Sequence, residues 1–312
     1  MKENSLSGLI IKAQSGFFTV DTGQGIFNCQ LRGRLKQGRA FGDIAALGDR
    51  VKISVLKSPL EDATASEKKG TGVIEEVEER VRAIIRLDPR PQGIYQQVLL
   101  ANPDQALFVF SCAQPKPRLR MLDRFLVIAE KQRIPAVIVA NKIDLVNKPS
   151  EIFGLYEPLG YRVLYTSIKN GQGLEKLQTV LKGRISALAG PSGVGKSSLL
   201  NAIQPGLKLD VDEISAAIQK GKHTTVVRQM FRLSNGGFVA DTPGWRSLAL
   251  WDTQPEEMDA YFPELAPLVA GCQFSDCTHS HEPACAVLAA LREGKIHPLR
   301  YESFLRLRSG EK

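Results

Sequence analysis

The chain has 312 residues, 43% of them hydrophobic and 24% charged, which suits a folded globular protein of two or three domains and excludes a disordered or fibrous one. No apolar run approaches the roughly 20 residues that cross a bilayer. Met1–Leu9 carries Lys2, Glu3 and Asn4 in place of an apolar signal core, so a cytoplasmic protein without a membrane partner is expected. A net charge of +8 points to a polyanionic partner.

From about residue 6 to 80 the chain reads as short strands. Leu9–Ile11, Phe17–Val20 and Ile26–Cys29 are separated by Gly-bearing turns, Val51–Val55 alternates, and Val73–Val77 is placed to close the sheet. Five such strands fit a small barrel of the OB type, whose open face commonly binds nucleic acid, and other small barrels share the same pattern. Glu61–Gly70 is polar and reads as a mobile loop. Arg32, Arg34, Lys36 and Arg39 fall in a stretch without an acid; Lys116, Arg118, Arg120 and Arg124 form a second basic cluster, and Arg300, Arg306 and Arg308 a third. Each is either a solvated face or a phosphate contact.

From about residue 81 the texture changes. Leu107–Phe110, Ala136–Val139, Val163–Tyr165 and Ile185–Leu188 are continuous apolar runs, as in strands buried on both faces of a parallel sheet. Amphipathic helices are predicted between them at 118–132, 150–159 and 173–182, so the segment reads as a doubly wound α/β domain. Cys29 and Cys112, alone in strand-like stretches, are expected to be buried and inert.

Asn141-Lys142-Ile143-Asp144 follows the second of these strands, at a carboxyl end where ligands bind. In an N-K-x-D loop the Asp144 carboxylate accepts from guanine N1–H and N2–H₂. Adenine offers neither donor and would leave a partly buried carboxylate unpaired. Asn141 bridges loops, and the Lys142 stem lies over the base. One strand later, Tyr165-Thr166-Ser167-Ile168-Lys169 stands where GTPases carry an S-A-K-like loop, with Ile168 for the usual Ala.

Gly190-Pro191-Ser192-Gly193-Val194-Gly195-Lys196-Ser197 satisfies the phosphate-loop pattern G-x-x-x-x-G-K-[ST], with a strand before it and a helix opening at Ser198 after it. Its glycines let backbone N–H groups face phosphate oxygens, aided by the helix N-terminus. Lys196 reaches the β- and γ-phosphates, and the Ser197 hydroxyl ligates Mg²⁺. Lys220–Thr225 has the look of a first switch, in which Thr224 or Thr225 closes over the magnesium ion. Asp241-Thr242-Pro243-Gly244 is a D-x-x-G: Asp241 holds Mg²⁺ through water and the Gly244 N–H senses the γ-phosphate. Trp245 stands where Ras-like proteins carry the Gln that orients the attacking water. His223 is the candidate replacement, since a neutral imidazole accepts from water near pH 7.

Cys272, Cys277, His279 and Cys285 offer three thiolates and an imidazole, a closed tetrahedral set for one structural Zn²⁺, with His281 as an alternative fourth ligand. A small segment with few large apolar residues needs such a staple. Two other readings compete: an ATP-dependent enzyme, which Asn141, Lys142 and Asp144 disfavour, and a zinc-stapled RNA-binding factor with a vestigial nucleotide site, which Lys196, Ser197 and Asp241 disfavour.

Ordinary GTPases run phosphate loop, first switch, D-x-x-G, N-K-x-D, S-A-K. Here N-K-x-D comes first and D-x-x-G last, which a circular permutation of the same site explains, because domain termini tend to lie close together. With a barrel before it and Cys277-Thr278-His279-Ser280-His281-Glu282-Pro283-Ala284-Cys285-Ala286-Val287 after it, the chain resembles the RsgA (YjeQ) family of small ribosomal subunit biogenesis GTPases over nearly its full length. The resemblance implies an OB-fold at 1–80, a permuted GTPase domain at 81–248 and a mainly α zinc domain at 249–312. It also implies GTP and GDP as ligands, rRNA of the small subunit as partner, and a role in late subunit maturation. Stimulation of hydrolysis by the subunit and zinc ligation by Cys272, Cys277, His279 and Cys285 follow from it too. A monomer is expected, and rRNA phosphates are the candidate partner of the basic clusters.

Overall fold

The computed structural model describes residues 5–36, 42–57, 69–87, 96–207, 228–241 and 253–310. It packs as two compact units. One comprises Met1–Gln105, Gln178–Ala189 and Leu200–Leu248; the other comprises Ala106–Leu177, Gly190–Leu199 and Ala249–Lys312.

In the first unit β1 (Ser5–Gln14), β2 (Phe17–Asp21), β3 (Ile26–Leu31), β4 (Arg50–Lys57) and β5 (Lys69–Val77) close on one another in the order β1-β2-β3-β5-β4-β1. Only β3 and β5 are parallel, the arrangement of an OB barrel. Period-two alternation turns Ile10, Phe18, Val20, Phe27, Cys29, Val51, Ile53 and Ile74 inward as one core. Of the stretch expected as a mobile loop, 61–68 lies outside the described residues. Lys69 and Gly70 already belong to β5, where pairing with Ile26 and Phe27 outweighs their polarity. A hairpin of β6 (Ala83–Leu87) and β7 (Gln96–Ala101) follows. At its base Arg80 spans both carboxylate oxygens of the fully buried Asp49 at 2.8 Å.

In the second unit β8 (Gln105–Ser111), β9 (Ala136–Asn141) and β10 (Arg162–Thr166) form a parallel array. Every residue of β8 is buried, as its unbroken apolar run requires. Helix α1 (Leu119–Lys131) packs Phe125 against Phe108 and Phe110, at ring-centroid distances of 5.5 and 6.0 Å. Each such buried ring contributes about 1.5–3 kcal/mol. The helix expected over 150–159 is shorter: α2 (Ser150–Phe153) passes into a 3₁₀ turn at Gly154–Tyr156. Pro158 has no N–H to continue it, and Gly160 turns left-handed at φ +89°. Helix α3 (Leu174–Leu181) follows β10.

Strand β11 (Ile185–Ala189) belongs to the first unit and leads directly into the glycine-rich loop, after which α4 (Lys196–Ile203) begins. There β11 runs parallel to β13 (Phe238–Asp241), β13 pairs with β12 (Arg228–Arg232), and β12 pairs with β1 of the barrel.

The Cys-rich segment belongs to the second unit and contains two 3₁₀ stretches, Pro255–Tyr261 and Ala266–Gly271, then α5 (Ala286–Arg292) and α6 (Pro298–Arg308). It shares one side of α1. Val127 joins the core of Met258, Phe262, Leu265 and Phe304, Lys131 donates to Thr253 at 2.7 Å, and Arg120 pairs with Glu302 at 3.0 Å. At the centre lies Arg300, fully buried, bonded to Asp123 of α1 at 2.6 Å and to Glu264 at 2.7 Å. Burial opposes its charge, but the two carboxylates outweigh that and hold it protonated.

Candidate functional site

The base-selecting and phosphate loops meet through one buried side chain. Asn141, at the end of β9, donates from Nδ2 to the Val194 carbonyl at 2.8 Å and accepts on Oδ1 from the Thr166 hydroxyl at 3.1 Å. Lys142 stands next to it in the left-handed region at φ +60°, the kind of local strain that collects at ligand sites. From there its Nζ donates to the Gly193 carbonyl at 2.7 Å and to the Gln114 carbonyl. Ile143 is buried and plugs the turn. The Asp144 carboxylate accepts from Ser167 Oγ at 2.5 Å, which fixes its orientation. Asp144 itself is exposed at the rim, not partly buried as expected, because the 3₁₀ turn Ile143–Leu145 lifts it clear of the sheet.

The phosphate loop needs its glycines for reasons visible in the packing. A Cβ on Gly190 would stand 2.1 Å from the Val109 carbonyl of β8. One on Gly195 would stand 2.7 Å from Asn141 Nδ2, an amide held in place by its bonds to the Val194 carbonyl and the Thr166 hydroxyl. Pro191 and Val194 are buried, while Ser192 and Gly193 face solvent. Lys196 folds under the loop and donates to the carbonyls of Gly190 at 3.0 Å and Pro191 at 2.9 Å. Ser197 is buried, Ser198 half-buried, and the first helical bond closes from Leu199 N to Gly195 O at 2.8 Å. The loop thus presents N–H groups at a helix start, with a lysine poised beneath.

Asp241 ends β13 opposite Leu188 of β11. His223, Thr224, Thr225, Gly244 and Trp245 lie outside the described residues. Gln114 is a contact that sequence reasoning missed: it acts through its carbonyl, and no side-chain pattern marks such a role.

A second constellation lies in the Cys-rich segment. The donor atoms of Cys272, Cys277, His279 and Cys285 all fall within 4.8 Å of one another. Cys272 and Cys285 sulfurs are 3.9 Å apart, and each lies 3.5 Å from His279 Nδ1. A tetrahedral metal with thiolate and imidazole ligands separates its donors by about 3.8 and about 3.6 Å respectively, so the set fits such an ion and leaves no open position. Burial pushes the Cys277 thiol up to about 12, so metal binding must displace its proton. His281 is exposed, hydrogen-bonded to Ser280 at 2.9 Å, and no part of the cluster. His279 stands at φ +59° and is buried, while the adjoining Ser280 and His281 are exposed. Cys29 and Cys112 are buried as expected, and burial pushes both thiols up to about 11, which disfavours the reactive thiolate.

Several members of the basic clusters have carboxylate partners. Glu75 of β5 supplies the acid that the sequence around Arg32 and Arg34 lacks, at 2.9 and 3.4 Å. The side chains of Lys36 and Arg39 lie outside the described residues. Lys116 and Arg118 are exposed. Arg306 pairs with Glu302 at 2.9 Å. Arg300 is no phosphate contact at all, since it is sealed between Asp123 and Glu264.

A parallel α/β array with its base-selecting loop ahead of its phosphate loop, joined through Asn141 and Lys142, defines a circularly permuted GTPase. The RsgA GTPase family model matches residues 77–251 and the RsgA N-terminal domain model residues 7–59. The chain belongs to the RsgA family. It is 44% identical to the small ribosomal subunit biogenesis GTPase RsgA of Gemmatimonas aurantiaca over 97% of each chain. It is 41% identical to that of Moorella thermoacetica over 96% of this chain and 95% of the relative. Among solved structures it is similar to YjeQ from Thermotoga maritima, with TM-score 0.76, 35% identity and 98% of each chain covered. It is also similar to YloQ, a circularly permuted GTPase, with TM-score 0.73, 29% identity, and 99% and 96% of the two chains covered. Among the described residues no helix is long and apolar enough to cross a membrane.

Proposed function

We propose that this chain binds GTP with Mg²⁺, hydrolyses it to GDP and phosphate, and does so on the small ribosomal subunit during its late maturation, with the subunit stimulating turnover. The observation that supports this reading is the double tie from Asn141 and Lys142 to the carbonyls of Val194 and Gly193, which holds the N-K-x-D loop against the phosphate loop, as recognition of a single nucleotide by both would require. In this reading Asp144, oriented by Ser167, selects guanine, with Ile143 shaping the turn beneath. Gly190 to Ser198 cradle the phosphates. Lys196 exchanges its two carbonyl partners for phosphate oxygens, which counter charge developing in the transition state. Ser197 and Asp241 hold Mg²⁺, whose bound charge supports phosphoryl transfer. Gly244 senses the γ-phosphate and Thr225 closes on it.

His223 is the proposed water-positioning group, and a His223→Ala variant with unchanged turnover, alone and with small subunits, would remove it. Residues 1–80 serve as an rRNA-binding barrel, 81–248 as the GTPase and 249–312 as a domain stapled by one structural Zn²⁺ on Cys272, Cys277, His279 and Cys285. The protein acts as a cytoplasmic monomer with rRNA as its contact. Displacement of a fluorescent GDP tests the site: unlabelled GDP competes and ADP does not, whereas equal competition by ADP overturns the assignment.

A further inference from the structure

Beyond the four donors, His279 has a fifth relationship. Its ring is buried, with Nδ1 turned to the two sulfurs at 3.5 Å and Nε2 turned to Asp259 Oδ2 at 3.1 Å. The ring is wedged against Phe304 at a centroid distance of 6.0 Å, and its backbone carbonyl accepts from the Tyr301 hydroxyl at 2.7 Å. An imidazole that gives Nδ1 to a metal carries its proton on Nε2, and a carboxylate there fixes both the tautomer and the ring plane.

We propose that Asp259 is a positioning residue for the metal site, acting through His279. This deepens the zinc assignment above and rests on it. Asp259 comes from the 3₁₀ stretch Pro255–Tyr261, outside the ligand loop 272–285, and its carboxylate is only 13% exposed. A surface acid would have no cause to be drawn in; this one meets the only polar edge that His279 has left. The metal centre is therefore assembled from two pieces of chain, and metal binding clamps the 255–261 stretch onto the ligand loop. Nearby, Glu282 accepts from the backbone N–H groups of Thr278, Ser280 and His281 and holds the loop itself. Asp259 differs in touching a ligand side chain.

The test is zinc affinity of the full chain by chelator competition, in five forms: wild type, Asp259→Asn, Asp259→Glu, His279→Cys and the Asp259→Asn/His279→Cys double variant. Asp259→Asn weakens zinc binding by about 10- to 100-fold, the usual cost of losing an outer partner, and Asp259→Glu restores part of it. In the His279→Cys background, where four thiolates need no imidazole, Asp259→Asn has no further effect. An equal loss in that background would show that Asp259 merely packs its own stretch, and would overturn the proposal, as would unchanged affinity in the single variant. Absence of zinc binding in the wild type is a separate outcome, which sinks the zinc assignment and this inference together.

Discussion

In the proposed reading, Asp144 and Ser167 carry the choice of base between them. The serine hydroxyl occupies one side of the carboxylate at 2.5 Å, which leaves Asp144 aimed as an acceptor toward two neighbouring ring donors. Asparagine at 144 would turn a donor toward guanine N2–H₂, setting donor against donor, while xanthine offers a carbonyl there. Asp144→Asn therefore lowers GDP affinity by about 100-fold or more and raises affinity for xanthosine diphosphate, as measured by competition with a fluorescent nucleotide. The loops themselves were legible, because N-K-x-D and G-x-x-x-x-G-K-S name consecutive residues whose chemistry is local. Gln114 was not, since it contributes a backbone oxygen. Asp259 was hidden among Glu256 and Glu257, where a run of acids reads as solvated surface.

Helix α1 shows how one element serves two partners. Its amphipathic pattern foretold one buried side, the side that carries Phe125 onto the strands. The second side, through Arg120, Asp123, Val127 and Lys131, reads as polar and yet lies against the Cys-rich segment. The partner that explains Asp123 is Arg300, 177 residues later, so no local window contains the pair. Pattern reading placed Arg300 in a basic cluster for the same reason.

Asp123 also accepts from Tyr156 at 2.8 Å and from Ser303, so the ion pair sits in a closed hydrogen-bond network. Arg300→Met removes the cation and leaves Asp123 and Glu264 buried without it. The expected loss is about 3–5 kcal/mol of stability by urea denaturation, because a stranded buried charge costs more than the pair itself contributes. A loss below about 1 kcal/mol would show that water reaches the carboxylates.

On the scale of the whole molecule, the order of motifs was legible and the packing was not. Barrel strands announced themselves by alternation and the parallel strands by unbroken apolar runs. The permutation followed from reading which motif came first. Yet β11, β12 and β13 pack in the unit that contains the barrel, while β8, β9 and β10 share a unit with the Cys-rich segment. Such grouping depends on pairings such as Lys12 with Gln229, which join distant stretches. Charge is the other lesson at this scale. A net +8 suggests phosphate contacts, but Arg32, Arg34, Arg120 and Arg306 have carboxylate partners and Arg300 is sealed inside, so the exposed Lys116 and Arg118 are better candidates for an rRNA backbone.

The decisive measurement is the rate of phosphate release from GTP by the full chain, with and without purified small ribosomal subunits, beside a Lys196→Ala control. Slow release alone, at least about tenfold faster release with subunits, and none above background in the control are the predicted results, since Trp245 in place of a water-orienting Gln leaves unaided hydrolysis weak. No release in either condition, or release that survives the loss of Lys196, would contradict a GTPase that works on the small subunit through this phosphate loop.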